Sequence, residues 1–166
     1  MGFSLENLSS RWYNGGNEVK DMHISTKGRY ALRMMIDLAE HRNSGYISLK
    51  EIAERQGISK KYLEQIIPIV NRTDFLKATR GSQGGYMLAR DPSKYTVGDI
   101  LRLTEGSFAP VACAEQNPVE CERSDECVTL PIWKGLARVI NEYLDGITLQ
   151  DILDQKHQHD KYDYVI

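Results

Sequence analysis

The sequence has no apolar run approaching the roughly 18 to 20 residues that a membrane-spanning helix needs. Its N-terminal stretch is too polar and too charged for a secretory signal peptide. It has only three cysteines, an odd number that the disulfide framework of a secreted domain would rarely use. We therefore expect a cytoplasmic protein with no membrane partner.

Motifs of enzyme catalysis are also scarce. The sequence has four histidines, all far along the chain from the cysteines, and no Gly-x-Ser-x-Gly turn that would present a serine nucleophile. A metal-dependent or thiol enzyme is therefore the weakest of the alternatives, and we predict that the protein is not an enzyme. With 166 residues, the chain has room for one core and an appendage.

The two halves of the chain differ in charge. Residues 22–94 contain 13 basic and 7 acidic side chains, whereas residues 95–166 contain 6 basic and 13 acidic ones. A basic lobe that faces DNA and an acidic lobe that senses or dimerises would show this pattern, although proteins that never touch DNA show it too.

Helical signals fill the first half after residue 21. A helix from Lys27 to about His41 is predicted by apolar residues at three- and four-residue spacing: Tyr30, Ala31, Met34, Met35, Leu38 and Ala39. A second, short helix starts at the capping box formed by Ser48 and Glu51 and stops at Gly57. Ser59 can cap a third helix directly afterwards. Two helices across a tight turn make a helix-turn-helix.

A glycine-rich tip follows the third helix. Residues 76–80 and 86–89 have the pattern of two short strands around the tip at residues 81–85, which predicts a β-hairpin, or wing. Thr96 and Asp99 then start another helix, and a stripe of apolar residues predicts a long helix that closes at Gly146: Ile132, Leu136, Val139, Ile140, Tyr143 and Leu144. Thr148 opens a last short helix. The predicted fold class is mainly α with a small two-stranded wing (α+β).

The second helix of a helix-turn-helix lies in the major groove of DNA, and residues near its N-terminus reach the base edges. Here that helix turns apolar residues toward the core and polar ones outward, where a plain solvated face is the alternative to DNA contact. Arg80 beside the glycine tip favours DNA, because a guanidinium can enter a narrow minor groove. The predicted DNA-binding residues are Ser48, Ser59, Lys60, Lys61, Tyr62, Glu64, Gln65, Arg80 and Gly81.

The three cysteines, Cys113, Cys121 and Cys127, lie within fifteen residues of one another. Three thiolates on one loop can hold an iron-sulfur cluster or a zinc ion if a fourth ligand completes the site. The acidic residues between them disfavour thiolate formation until a cation arrives. Free thiols or a redox-sensitive pair are the alternatives.

Four motifs stand out together: Lys-Gly-Arg-Tyr-Ala at 27–31, Tyr-Leu-Glu-Gln at 62–65, Arg80-Gly81 with Gly84-Gly85-Tyr86, and Ile-Thr-Leu at 147–149. In these the chain resembles the family of the iron-sulfur cluster assembly regulator IscR, the nitric-oxide sensor NsrR and the cysteine-metabolism repressor CymR. The resemblance implies a homodimer on double-stranded operator DNA, with the long helix around Leu136 crossing its mate. It also implies DNA contacts at Glu64 and Arg80, and a cluster on the three cysteines.

The chain departs from that pattern at several positions. Lys61 stands where the best-known cluster regulator has a serine, and the interval between the first two cysteines is two residues longer. Leu130 replaces that protein's histidine ligand, and Arg29 replaces the acidic ligand of the nitric-oxide sensor. The remaining candidates for the fourth ligand are His23, a loop carboxylate and an exogenous thiol. The sequence therefore does not distinguish a [2Fe-2S] from a [4Fe-4S] cluster.

These observations predict four segments. Residues 1–21 form a flexible extension, residues 22–94 a winged helix-turn-helix DNA-binding domain, residues 95–155 the cysteine loop and the dimerisation helices, and residues 156–166 a tail. The predicted function is transcriptional regulation that senses cluster or redox status. The alternative is a repressor without a cluster, controlled by redox, zinc or a partner protein.

Overall fold

A computed structural model describes residues 23–81, 84–115 and 119–162, so the predicted extension 1–21 lies outside the described residues. The helices are α1 (Thr26–Glu40), α2 (Leu49–Gln56), α3 (Lys60–Val70), α4 (Val97–Glu105), α5 (Ala112–Glu115), α6 (Leu130–Asp145) and α7 (Leu149–Tyr162). The strands are β1 (Leu76–Thr79) and β2 (Gly85–Leu88). The mainly α fold with a two-stranded wing is confirmed.

Helix α1 is the centre of the core. Ala31, Met34, Met35 and Leu38 are completely buried on one face, as their spacing predicts. Around this face pack α2, α3, the base of the wing, Ile100 of α4, and Leu149 and Leu153 of α7. The core therefore joins both halves of the chain around one helix.

The helix-turn-helix forms through local signals. The Ser48 side chain accepts a hydrogen bond from the Glu51 amide at 3.3 Å, and the Glu51 carboxylate accepts from the Ser48 amide at 2.8 Å, which is the predicted capping box. Gly57 ends α2 in the left-handed conformation, with φ of 61°. Ser59 caps α3 by accepting from the Tyr62 amide at 3.2 Å.

The wing strands are antiparallel, and their register runs from Leu76 opposite Leu88 to Thr79 opposite Gly85. An isolated bridge between Ile47 and Tyr86 ties the segment before α2 to the wing. The segment that leads into the helix-turn-helix is thereby attached to the wing.

The C-terminal helices differ in how far they are buried. Helix α4 begins at the predicted capping box of Thr96 and Asp99. Helix α6 spans 16 residues, of which Ala137 alone is buried. Helix α7 runs to Tyr162 and is longer than the short helix expected, since Leu153 reaches the core and the Lys156 ammonium lies 2.6 Å from the Glu40 carboxylate of α1. Among the described residues, no helix combines the length and apolar character of a membrane span.

Candidate nucleic-acid interface and cysteine loop

Helix α3 has a buried face and an exposed face. Leu63, Ile66 and Ile67 are buried in the core. The predicted DNA-facing side chains are on the other side and exposed: Lys60, Lys61, Glu64 and Gln65, with Ser59 exposed at the cap. The Lys60 ammonium and the Glu64 carboxylate are 3.6 Å apart. An exposed pair of this kind contributes only about 0.3–0.5 kcal/mol, so DNA can separate it at little cost.

The remaining predicted DNA contacts lie at the start of α2 and on the wing. Ser48 is partly buried at the start of α2, directly after Ile47, which the bridge joins to the wing. Arg80 and Gly81 are exposed just beyond β1, and Gly81 has a positive φ of 112°. A glycine accepts this conformation at no steric cost, which suits the turn at the wing tip.

An ion pair between a buried carboxylate and a partly exposed arginine holds α2 against α1. Asp37 is 1% exposed, and the Arg55 guanidinium donates to both of its carboxylate oxygens, at 2.9 Å and 2.7 Å. The Gln56 side-chain amide donates to the same carboxylate at 3.0 Å. Burial raises the pKa of Asp37, but the hydrogen bonds from Arg55 and Gln56 outweigh burial and hold this pKa below its ordinary value.

Sequence reasoning missed this pair. Helical spacing places Asp37 beside Met34 and Leu38, on the face that packs into the core. A buried carboxylate needs a partner, so this position was the signal in the sequence that an ion pair exists. It could not identify Arg55, which comes from another helix.

Two further residues of α1 support the helix-turn-helix and were not predicted to do so. The Tyr30 ring meets the Tyr62 ring edge-on, with 5.3 Å between centroids, so α1 contacts the first turn of α3. The Arg33 guanidinium donates to the Gln56 side chain at 3.2 Å and to the Gln56 carbonyl at the end of α2. Helix α1 thus touches both helices of the motif.

The three cysteines are free thiols spread along the segment between α4 and α6. Cys113 lies in α5, Cys121 is exposed in the loop, and Cys127 lies three residues before α6. The Thr129 hydroxyl is 3.5 Å from the Cys127 sulfur, and hydrogen bonds from the Thr129 side chain and backbone lower the pKa of this thiol. Within the described ranges, the structure brings no three His, Cys, Asp or Glu side chains together in a group that could hold a metal ion.

Helix α6 presents an apolar stripe on its exposed side. Ile132 is 60% exposed, Val139 54% and Tyr143 68%, and Leu136 lies between them on the same stripe. Ile140 and Leu144 lie on the adjoining side of the helix and pack against Val97 and Leu101 of α4. Large apolar side chains in a continuous row on a helix are typical of a protein-protein interface.

The chain aligns with known proteins over most of its length. Residues 24–155 match the family model Rrf2, described as "Iron-dependent Transcriptional regulator". The chain is 39% identical over 132 residues to Protein rrf2 of Nitratidesulfovibrio vulgaris, an alignment that covers 80% of this chain and 87% of that protein.

Two solved structures show the same fold. The IscR structure from T. potens is 42% identical, with a TM-score of 0.65 over 81% of this chain and 88% of that one. The structure of CymR, the global cysteine regulator of B. subtilis, is 37% identical, with a TM-score of 0.64 over 80% of this chain and 97% of that one.

The fold and the exposed face of α3 define a winged helix-turn-helix transcription regulator. The chain belongs to the Rrf2 family, as its match to the family model and its identity to relatives show. The predicted resemblance is confirmed. Because the family consists of transcription regulators, the expectation that this protein is not an enzyme is confirmed as well.

Proposed function

We propose that this protein binds operator DNA as a homodimer in the cytoplasm, with an affinity set by an iron-sulfur cluster or by the redox state of Cys113, Cys121 and Cys127. The observation that carries the proposal is the presence of three free thiols in the segment between α4 and α6 of a chain that also has a winged helix-turn-helix. The family description as iron-dependent supports it.

The DNA contacts follow from the exposed face of α3. Its first two turns enter the major groove, where lysine recognises guanine, glutamine adenine and glutamate cytosine. Arg80 enters the adjacent minor groove, which the small tip of the wing can approach closely. The residues assigned to DNA are Ser48, Ser59, Lys60, Lys61, Tyr62, Glu64, Gln65, Arg80 and Gly81.

The homodimer is supported by the apolar stripe of α6. Leu136 and its exposed neighbours make a surface that water solvates poorly and that a second copy of the helix can cover. A two-fold dimer places two α3 helices on one duplex, so DNA affinity gains from two linked contacts.

The donor chemistry of the loop fits an iron-sulfur cluster. Three thiols satisfy most of a four-ligand site, and each is at least partly exposed. Because the described residues are not gathered around a metal position, binding a cluster would require the three thiols to come closer together. Cys113, Cys121 and Cys127 would hold the cluster. The charge of a bound cluster, and the fraction of protein that carries one, would depend on iron supply and on oxidants.

A regulator that works without a cluster is the second candidate. The lowered pKa of the Cys127 thiol favours its reactive thiolate form, which suits a redox sensor. The similarity to CymR, titled a cysteine regulator, supports the same alternative. Zinc on the three cysteines, or control by a partner protein, belongs to this candidate too.

The test is anaerobic purification of the wild type, Cys121→Ala and the control Ser124→Ala, followed by an absorbance spectrum and assays of iron, sulfide and zinc. We expect visible charge-transfer bands with iron and sulfide in the wild type and the control, and their loss in Cys121→Ala. A colourless wild type after reconstitution would contradict the cluster. Bound zinc or reversible thiol oxidation would then favour the second candidate.

A further inference from the structure

A second buried carboxylate lies far from Asp37. Glu105 is the last residue of α4 and is 7% exposed. Its oxygens accept hydrogen bonds from the Ser25 hydroxyl at 2.7 Å, the Ser25 amide at 3.3 Å and the Thr104 hydroxyl at 2.9 Å. The end of α4 is thereby attached to Ser25, the residue that caps α1, 80 positions earlier in the chain.

Ser25 has two roles at this contact. Its hydroxyl donates to Glu105 and also caps α1 by accepting from the Gly28 amide at 3.1 Å. Gly28 itself leaves no room for a side chain, because a Cβ there would overlap the Glu105 carboxylate. The first turn of a 15-residue helix thus lies directly on a carboxylate, where the positive end of the helix dipole stabilises the negative charge.

The same end of α4 leads into the cysteine loop. Phe108, three residues after Glu105, is 5% exposed and packs with Leu101 in a cluster that also contacts Leu32 of α1. The Arg102 guanidinium lies 5.8 Å from the centre of the Phe108 ring and donates to Asp145 of α6 at 2.7 Å. The start of the cysteine loop is thereby in contact with the turn of α4 that contains Glu105.

The other end of the connection is the DNA-reading helix, α3. Tyr30 lies five residues after Ser25, and its ring contacts the Tyr62 ring in the first turn of α3. Helix α1 is thereby in contact with the turn that contains Lys60 and Lys61.

We propose that Glu105 is a positioning residue that couples the cysteine loop to the DNA-reading helix through Ser25 and the first turn of α1. The part concerning a cluster rests on the proposed function, but the mechanical connection does not. Packed helices have few alternative arrangements, so a shift of α4 is passed on to α1 and α3.

Two substitutions of Ser25 separate the contact from helix capping. Asparagine and aspartate both retain an oxygen that can cap α1. Only asparagine also retains a donor for Glu105, whereas aspartate places a like charge against it. Glu105→Gln removes the charge at nearly constant shape, and Asp154→Asn removes an exposed charge on α7 as the control.

Hydrogen exchange of the metal-free protein tests the mechanical connection. For Ser25→Asp and Glu105→Gln we expect faster exchange in the first turns of both α1 and α3, with a smaller change for Ser25→Asn and none for Asp154→Asn. Faster exchange confined to α1 would overturn the proposal, since it would show a local structural role alone. If Glu105→Gln does not fold, the comparison of Ser25→Asp with Ser25→Asn tests the same connection between α1 and α3.

Alkylation of the loop thiols with N-ethylmaleimide tests the coupling to DNA without any metal. The DNA is a duplex selected by the protein from a random pool. We expect alkylation to change the affinity of the wild type by about 5-fold or more, and that of Ser25→Asp and Glu105→Gln by much less. An equal change in wild type and variants would overturn the proposal. Absence of a cluster would instead refute the cluster in the proposed function and leave this result standing.

Discussion

Helices α3 and α6 are both amphipathic, but their exposed faces differ in chemistry. The exposed face of α3 is polar and includes Lys60, Lys61 and Gln65, while its other face buries four apolar residues. The exposed face of α6 is apolar and includes Ile132, Val139 and Tyr143. Helix α3 is fully packed within one chain, whereas α6 is not.

The difference indicates which partner each helix requires. A polar, basic face over a complete core suits a hydrated and negatively charged surface such as DNA. An apolar stripe suits another protein surface, because its burial is favourable at about 25 cal/mol per Å². One chain therefore builds the reading surface by itself, and the proposed homodimer would cover the exposed stripe of α6.

The largest effect is expected from placing a charge in the α6 stripe. Leu136→Asp should yield a monomer and weaken DNA binding by about 100-fold or more, because two linked contacts become one. Light scattering and fluorescence anisotropy measure the two quantities. Lys134→Gln, which lowers the charge of the same helix by one, should remain dimeric. A dimeric Leu136→Asp would refute the role of α6.

The second effect concerns the support of α3. Arg55→Met leaves the Asp37 carboxylate buried without its main partner, so the free energy of unfolding should fall by about 3 kcal/mol. Urea unfolding measures this change. Lys50→Met on the exposed side of α2 should cost less than about 0.5 kcal/mol. Equal losses of stability in the two variants would show that the Asp37–Arg55 pair does not support the motif.

A smaller effect should distinguish the wing from the dimer helix. Arg80→Ala should weaken DNA binding by about 10-fold. It should also make the slope of log affinity against log salt shallower by about 0.9, because one cation that neutralises DNA phosphate charge is lost. The dimer should be unaffected. Lys77→Ala, also on the wing, should have less effect, and an equal effect would mean that net charge alone explains binding.

The smallest effect is the acid dependence of stability. The folded pKa of Asp37 lies below its unfolded value of about 3.9, so its stabilisation is complete above that pH and is lost as the pH falls through the folded pKa. Urea unfolding between pH 6 and pH 2 (about two units on either side of that value) measures it. Asp37→Asn should show a shallower decline, and an unchanged slope would assign the acid sensitivity to other carboxylates.

The sequence predicted those parts of the fold that local signals determine. Ser48, Gly57 and Thr96 act within a few residues of themselves, so the helix boundaries at these positions agreed with the structure. The stripe of α6 was evident because helical periodicity is visible in any window of the chain.

The parts that were missed depend on distant contacts. Asp37 and Arg55 are 18 residues apart, and Ser25 and Glu105 are 80 apart. No periodic pattern reveals which buried polar group pairs with which. Likewise α7 is longer than expected because Lys156 reaches Glu40, 116 residues away.

The most direct test is the DNA affinity of anaerobically purified protein before and after a chelator removes its iron, measured by anisotropy alongside Cys121→Ala. Our account predicts a change of about 5- to 150-fold in the wild type and none in the variant. An iron-sulfur protein that binds the same DNA equally well before and after the removal would contradict it.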